Sequence, residues 1–448
     1  MSTAEETQNR ETMARHPFIA QFIDQGRQRA TATLPSWWSD FRQEALQRLV
    51  GLELPTRKDE EWKFLRLDPL VSRTFESETD ARWTPDEDEV AGRRLPEAEA
   101  ATLVFANGRY VSELSNVGEL AEGVEVTTWS ELREDGDLDR LEKFVDLADF
   151  WEDDVFYNLN GGNFEDGAIV LVPRNTVVET PIHVLHLAGP EAGDYAAHPR
   201  NVIVAGQSAE VTVIEEYGSV GDGTYFHNVV DEVSLAANSR VRHVKVQRDS
   251  DEAFHVARNV ITLEQDSNYL STAVNLGSDL SRNDSYARFD GRNIECTLDG
   301  LSFLSGEQVS DTHTAIDHAL PDSTSYQLQK NIVDDRAHTI FNGKIFVRQD
   351  AQRIDSNQLN QNLLLSNRSQ VDTKPQLEIF ADDVVCSHGA TVGQLEESHL
   401  FYLMARGLDE EHARALLTYA FAAEILEDIE VETLRDELED LLLEETTS

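Results

Sequence analysis

The sequence predicts a mainly β protein whose core is a parallel β-helix, with helical segments before and after it. Between residues 166 and 394, short runs rich in Val, Ile and Thr alternate with turns of Gly, Asn, Asp and Ser. Small polar turns at Ser208, Ser239 and Ser267 are 31 and 28 residues apart, a spacing that is typical of solenoids. Hairpin signals such as Asn-Gly are sparse here, which favours parallel stacking over the alternative, a β-sandwich.

Residues 1–165 are predicted to form an N-terminal domain that is mostly helical, because apolar residues recur at helical spacing in two segments near its start. A short hairpin is expected at the Asn107-Gly108 turn. The charged, proline-containing stretch at 75–100 is interpreted as an exposed linker.

Helical periodicity returns after the β region, and residues 395–448 are predicted to form a C-terminal helical domain. Gly407 is expected to end its first helix and Asp409 to cap the second. These helices are expected to project from the end of the solenoid, where a solenoid needs a cap or a partner. Four asparagines are expected at the corners of the last turns: Asn357, Asn360, Asn362 and Asn367.

The composition indicates a habitat and disfavours several partners. The 448 residues include 38 Lys and Arg against 84 Asp and Glu, which gives a net charge of −46. So large a negative charge disfavours binding to nucleic acid or to an anionic membrane surface. Two explanations of the charge remain, a basic partner and a salt-rich, halophilic cytosol. Because the acidic residues are spread along the whole chain rather than in one patch, we favour the second. No apolar run is long enough to span a membrane, and residues 1–9 show no signal segment, so we expect a cytoplasmic protein.

The motifs of several enzyme classes are absent. The chain has no Gly-x-x-x-x-Gly-Lys loop, so we expect it to bind no ATP in that way. Two cysteines exclude a disulfide framework and a zinc site built from Cys alone. The carboxylate pairs Asp334-Asp335 and Asp382-Asp383 leave open an alternative, a β-helix enzyme acting on carbohydrate. Four histidines are interpreted as structural: His183, His186, His313 and His318.

The stretch from Ala381 to Gly393 carries the strongest chemical signal. Cys386 and His388 are two residues apart in an expected strand, so both side chains face the same side. A thiolate beside an imidazole suits iron, zinc or sulfur. Because a closed metal site usually has four ligands, the missing ligands would come from another chain or from the substrate. Gly389 removes bulk beside the pair, as expected where another backbone or a cluster approaches.

Motifs along nearly the whole chain resemble the SufB/SufD family of iron–sulfur cluster assembly proteins. The resemblance is strongest from Tyr326 to Gly407 and includes Asn357-Gln-Leu-Asn-Gln-Asn, Thr373-Lys-Pro-Gln-Leu-Glu-Ile and Cys386-Ser-His-Gly-Ala-Thr. Near the N-terminus, Glu60-Glu-Trp-Lys-Phe64 resembles the family's Glu-x-Trp-Lys-Tyr signature, with Phe in place of Tyr. The Cys-Ser-His-Gly form is similar to the SufD branch, since SufB usually carries His-Glu-Ala there.

The resemblance implies a right-handed parallel β-helix and a non-catalytic scaffold role in the SufBCD complex. It implies a SufB-like subunit as partner and a nascent, transient iron–sulfur cluster at the interface between the two. His388 would be a metal ligand of that cluster, with Cys386 beside it. The C-terminal helices would dock a SufC-like ABC ATPase, whose ATP-driven motion would expose the interface. A homodimer of this chain, formed without SufB, is the remaining alternative.

Overall fold

The computed structural model describes residues 16–29, 34–77, 83–145, 149–189 and 194–446. Residues 1–9, where the sequence shows no signal segment, lie outside these described residues. Most strands form two parallel sheets that face each other in a β-solenoid of about seven turns. Each turn gives one strand to each sheet, so a strand pairs with the strand two places away in the chain. The predicted parallel solenoid is therefore confirmed, and the β-sandwich alternative is excluded.

The two sheets are called sheet A and sheet B, and each has eleven strands. Sheet A contains β1 (Glu76–Ser77), β5 (Glu125–Thr128), β6 (Ala168–Val172), β8 (Tyr195–Ala197), β9 (Arg200–Ala205), β11 (Tyr225–Leu235), β13 (Phe254–Leu263), β15 (Leu280–Phe289), β17 (Val309–His318), β19 (His338–Val347) and β21 (Gln370–Ile379). Sheet B contains β2 (Ala101–Ala106), β3 (Arg109–Tyr110), β4 (Asn116–Val117), β7 (Ile182–Ala188), β10 (Glu210–Ser219), β12 (Arg240–Arg248), β14 (Asn268–Asn275), β16 (Glu295–Leu304), β18 (Thr324–Val333), β20 (Ile354–Leu364) and β22 (Val384–Gly393).

A column of left-handed corners sets the repeat. From β10 to β22 the register of sheet B advances by 27 to 31 residues per turn. The residue at each corner before a strand of sheet B has φ between +56° and +69°, a region that Asn and Asp adopt more readily than most residues. These corner residues are Ser208, Asn238, Asp266, Asn293, Asp322 and Arg353. The serine spacing in the sequence therefore follows the corners. Ser208 is itself a corner residue, and Ser239 and Ser267 each lie one residue after a corner.

The interior of the solenoid changes its composition along its length. In the early turns, aliphatic side chains such as Val184, Val211 and Val233 share it with buried charged groups such as Glu215 and Lys245. In the late turns, inward positions of β18 and β20 carry buried amides, among them Gln327, Gln329, Gln358, Asn360 and Asn362. The expectation that the asparagines sit at corners is wrong for Asn357, Asn360 and Asn362, which lie within β20, whereas Asn367 lies in a turn.

The N-terminal helices cover sheet A. Aromatic residues at helical spacing, including Phe18, Phe22 and Trp38, pack onto its outer face. The hairpin at Asn107-Gly108 is confirmed, and it joins β2 to β3 with φ of 47° and 78°. The helices that precede the first full turn are α1 (Pro17–Gln28), α2 (Ser36–Gly51), α3 (Asp68–Val71), α4 (Glu87–Ala91), α5 (Trp129–Asp135) and α6 (Val155–Asn163).

The stretch at 75–100 is not an exposed linker, and that expectation is wrong for its described part. It contains β1 and α4, and it buries Val90, Leu95 and Ala98. Leu95 and Ala98 belong to the apolar layer on the outer face of sheet B. Burial of these three apolar side chains therefore fixes the segment against the protein, although its charged composition predicts exposure to solvent.

The C-terminal helices are α7 (Glu397–Ala405), α8 (Glu410–Leu426) and α9 (Glu432–Glu445). They lie across the outer face of sheet B and pack on Leu301, Ile332 and their neighbours, so the expected projection from the solenoid end is wrong. The predicted cap is confirmed, since the Asp409 side chain accepts a hydrogen bond from the His412 backbone at 3.0 Å. Within the described ranges, no helix is both long and apolar enough to cross a membrane.

Candidate functional site

The last turn of the solenoid leaves two strand edges free. Strand β21 pairs with β19 and β22 pairs with β20, and neither has a second partner among the described residues. No residue of β21 or β22 is buried, although the strands one turn earlier are mostly buried. The end of the solenoid is therefore an uncapped surface with unsatisfied backbone hydrogen-bonding groups.

Cys386 and His388 lie on this last turn. In the register of β20 and β22 they pair with Ser356 and Gln358, whose side chains are buried inside the solenoid. Both therefore occupy inward-facing positions, about 7 Å apart along the strand. Cys386 is half-buried against a small apolar cluster, whereas His388 is exposed. No third His, Cys, Asp or Glu within the described residues joins them to make a three-ligand group.

The surroundings keep the Cys386 thiol protonated. Partial burial raises its pKa, and the charge of Asp355 on the neighbouring strand raises it further. Since the thiolate is the better ligand and nucleophile, a metal ion or a cationic group from another chain is needed to release the proton. In the isolated chain the Cys386 thiol is therefore in its less reactive, protonated form.

A layer of amides supports the last strand from below. Gln358 donates a hydrogen bond to Gln327 at 2.8 Å, and Asn362 donates to the Thr391 carbonyl at 2.9 Å. A Cβ at Gly389 would lie 3.2 Å from Leu359 Cδ1, so the glycine lets the last turn sit close to the turn below it. This amide layer differs from the sequence-based expectation, which has the asparagines at corners.

Exposed apolar side chains occur in two places near this end. The first, called the end surface, carries Phe380, Val385 and Val392. The second, called the helix surface, lies on α7 and α8 and comprises Phe401, Tyr402, Met404 and Leu416, of which Phe401 is 73% exposed. Grouped exposed apolar residues mark surfaces that bind other macromolecules.

The carboxylate pairs do not form a catalytic dyad. Asp334 and Asp335 share one exposed turn, where Asp335 has φ of +46° and accepts a hydrogen bond from the Gly306 backbone. Asp382 and Asp383 lie in the turn before β22 and are exposed. Each pair lies at a corner of the solenoid, where its two carboxylates are neighbours in one turn rather than on opposite sides of a substrate cleft as in glycoside hydrolases.

The N-terminal Glu-Glu-Trp motif has a structural role that the sequence did not reveal. Glu61 accepts hydrogen bonds from Asn342 at 2.6 Å and Lys344 at 2.7 Å. The contact with His313, and then that with Lys344, lower the pKa of Glu61. The Arg282 guanidinium lies 3.8 Å from the centroid of the Trp62 ring. The motif thus fastens the N-terminal region to the outer face of sheet A.

Comparisons with known proteins agree with this architecture. The family model described as "SUF system FeS cluster assembly, SufBD core domain" matches residues 188–421, and that of the SufBD N-terminal region matches residues 14–184. An iron–sulfur cluster assembly SufBD family protein of Synechocystis is 38% identical over 407 residues, which cover 89% of this chain and 88% of the relative. The iron–sulfur cluster assembly protein SufD of Escherichia coli is 33% identical over 88% of this chain and 90% of its own length. The SufD of Bacillus subtilis is 28% identical over 90% and 93%.

Proposed function

The chain belongs to the SufBD family of iron–sulfur cluster assembly proteins, and we propose that it is a non-catalytic scaffold subunit of that machinery. The observation that carries the proposal is the open last turn. It combines two free strand edges with Cys386 and His388 at inward-facing positions. A partner that continues the solenoid would bring its own ligands to the same place.

The partner in this proposal is a SufB-like subunit with the same fold. Free strand edges bind by adding strands, because main-chain hydrogen bonds supply affinity and side-chain pockets supply specificity. The exposed Val385 and Val392 on β22 would be covered by that contact. The nascent cluster is then a cargo held at the interface by His388 from this chain, by the Cys386 thiolate once deprotonated, and by ligands from the partner.

The helix surface is proposed to dock a SufC-like ABC ATPase. The helices are firmly attached to the solenoid, since Lys330 on β18 pairs with Glu424 on α8 at 2.6 Å and Arg248 on β12 pairs with Glu437 on α9 at 2.8 Å. Motion of an ATPase bound at Phe401 and its neighbours would therefore be transmitted to sheet B. This chain would bind no ATP itself and would act in the cytosol, where reducing conditions keep Cys386 free.

The test is co-expression with a SufB-like chain and an ABC ATPase, followed by purification at high salt. After supply of iron and sulfide, visible absorbance and iron content report cluster formation. We expect His388→Ala to lower the cluster yield at least about tenfold while the complex stays intact on size exclusion. Ser387→Ala is the matched control, because Ser387 is the exposed neighbour on the same strand with its side chain on the other face.

Two results would overturn parts of the proposal. Equal cluster yields from the His388→Ala and Ser387→Ala complexes would remove His388 from the site. Recovery of this chain as a dimer that forms the cluster without a SufB-like subunit would favour the homodimer instead. For the helix surface, Phe401→Asp should abolish capture of the ATPase, and Val117→Asp, an equally drastic change on exposed β4, should not.

A further inference from the structure

A second group of metal-ligating side chains lies inside the solenoid, far along the chain from Cys386 and His388. His227 belongs to β11, Asp249 follows β12, and His255 belongs to β13. All three residues are buried. Each offers a donor atom, and these atoms lie within 4.8 Å of one another. No spacing in the sequence predicts this group, since its members come from two strands and the corner that follows a third.

The distances within the group suit one bound ion. His227 Nδ1 lies 3.2 Å from one Asp249 oxygen, and His255 Nδ1 lies 2.9 Å from the other. Ligands bonded to a single ion at about 2.1 Å are about 3 Å apart when adjacent, and never more than about 4.2 Å apart. The widest separation is at most 4.8 Å. It has to close by about 0.6 Å if the two atoms lie on opposite sides of the ion, and by about 1.4 Å if they are adjacent ligands of a tetrahedral ion, and side-chain rotation would provide this movement.

The charge around the group favours a divalent cation. The neighbouring interior holds the carboxylates of Glu215, Asp231 and Asp249 against the ammonium of Lys245, which pairs with the first two. The three carboxylates outnumber the one ammonium, and a divalent ion would offset this excess of negative charge.

Two buried polar atoms beside the group have no hydrogen-bond partner among the described residues, namely His255 Nε2 and Gln247 Oε1. The Gln247 amide nitrogen lies 2.8 Å from Asp249 Oδ2. A half-turn of that amide would bring its oxygen towards the same carboxylate, where an ion would accept it as a fourth ligand. A bound ion would give the Gln247 oxygen a partner, whereas His255 Nε2 lies on the side of the ring away from the ligating Nδ1.

We propose that His227, Asp249 and His255 bind a divalent first-row transition-metal ion of the zinc or ferrous type, with Gln247 as an oxygen ligand. Two imidazoles and one carboxylate are a ligand set that such ions favour. The ion would join β11 and β13 of sheet A to the corner that follows β12. It would stabilise the interior of the early turns and would be separate from the cluster carried at the open end.

The experiment uses the full chain carrying Cys386→Ala and His388→Ala, so that the open end contributes no ligands. Co²⁺ serves as the probe, and its visible absorbance reports the coordination. High salt suppresses binding of Co²⁺ to the acidic surface. Because the site is buried, uptake is measured on the native protein and again after unfolding with chelator and refolding with Co²⁺. Bound metal per chain is counted after dialysis.

We expect about one Co²⁺ per chain, displaced by Zn²⁺, with affinity that falls as the pH is lowered because protons compete for the imidazoles. In the same background, Asp249→Asn and His255→Gln should each weaken binding by more than about 100-fold. His318→Gln is the matched control, since His318 is equally buried in the solenoid but lies outside the group. It should bind Co²⁺ normally.

Two outcomes would overturn the proposal. One is the absence of stoichiometric uptake in both the native and the refolded protein, with folding verified by circular dichroism. The other is equal binding by the Asp249→Asn, His255→Gln and His318→Gln proteins, which would place the ion elsewhere. If Asp249→Asn fails to fold, His255→Gln alone decides, because it keeps a polar side chain of similar size.

Discussion

The early turns of the solenoid and its last turn share a backbone but differ in their surroundings. Strands β11 and β13 are almost wholly buried, whereas β21 and β22 contain no buried residue. Strands β11 and β13 pair with each other in parallel, and β21 and β22 pair in parallel with β19 and β20 of the preceding turn. Stacking alone therefore does not determine burial. The N-terminal and C-terminal helices cover the outer faces of the earlier turns, whereas the residues of the last two strands are exposed or half-buried.

The two regions also satisfy their interior polar groups differently. The early turns contain ionised groups such as Glu215 and Lys245, which need partners of opposite charge. The late turns contain amides such as Gln327 and Gln358, which hydrogen-bond to each other from one turn to the next. Any chain with a similar interior can continue such a column of amides. The interior of the late turns is therefore suited to stacking of a further turn, whereas the ion pairs of the early turns are complete within this chain.

The largest effect is expected at a buried arginine of the early turns. Arg200 on β9 pairs with Glu232 and donates hydrogen bonds to Tyr157 and Asn160 on α6, at 3.0 and 3.1 Å. Arg200→Met should lower the free energy of unfolding by about 3–5 kcal/mol, because it leaves Glu232 buried without its cation. Denaturant titration measures this. Arg288→Met removes an exposed pair with Asp290 and should change stability by less than about 1 kcal/mol.

A pH-dependent effect is expected where α8 covers sheet B. Burial raises the pKa of Asp299 on β16 to about 7, and the charges of Asp428 and Glu424 add to the rise. The folded state therefore holds this proton more tightly than the unfolded state, so stability falls as the pH rises from about 4 to about 7. Asp299→Asn should remove that dependence and raise the free energy of unfolding by about 2 kcal/mol at pH 8. An unchanged pH profile in this variant would contradict the assignment.

Substitutions at two left-handed corners test whether the early and the late turns contribute equally to stability. Asn238 lies at the corner before β12, in the early turns, and Arg353 lies at the corner before β20, in the late turns. Their φ angles are 59° and 57°. A β-branched residue is strained in this region, so Asn238→Val and Arg353→Val should each lower stability by about 1–2 kcal/mol. Thermal unfolding of the two variants measures this. If only Asn238→Val is destabilising, the last turns contribute little to the cooperative unit.

The smallest effect on stability is expected at the open end. His388 is exposed and makes no contact that packing depends on, so His388→Ala should change the free energy of unfolding by less than about 0.5 kcal/mol. Differential scanning calorimetry of the isolated chain checks this. A large loss of stability would mean that His388 supports the fold, and the loss of cluster yield expected for the same variant would then need another explanation.

Several features of this protein follow from its sequence alone. The spacing of Ser208, Ser239 and Ser267 predicts a solenoid, because each turn needs a corner and the corners tolerate few residue types. Helical periodicity predicts the terminal helices, and Asp409 was correctly identified as a cap. The same-face placement of Cys386 and His388 follows from the two-residue period of a strand. These are local features, and local patterns report them directly.

Other features were decided only by the tertiary structure. The stretch at 75–100 is charged, yet Leu95 and Ala98 are buried because sheet B lies beneath them. Asn360 and Asn362 are inside the solenoid because neighbouring turns supply their hydrogen bonds. His227, Asp249 and His255 meet because stacking brings residues about one turn apart into contact. Burial, hydrogen bonding and ligand sets depend on neighbours that are some thirty residues away in the chain. A single sequence shows the period of such a stack, but the folded structure shows which side chains the stack brings together.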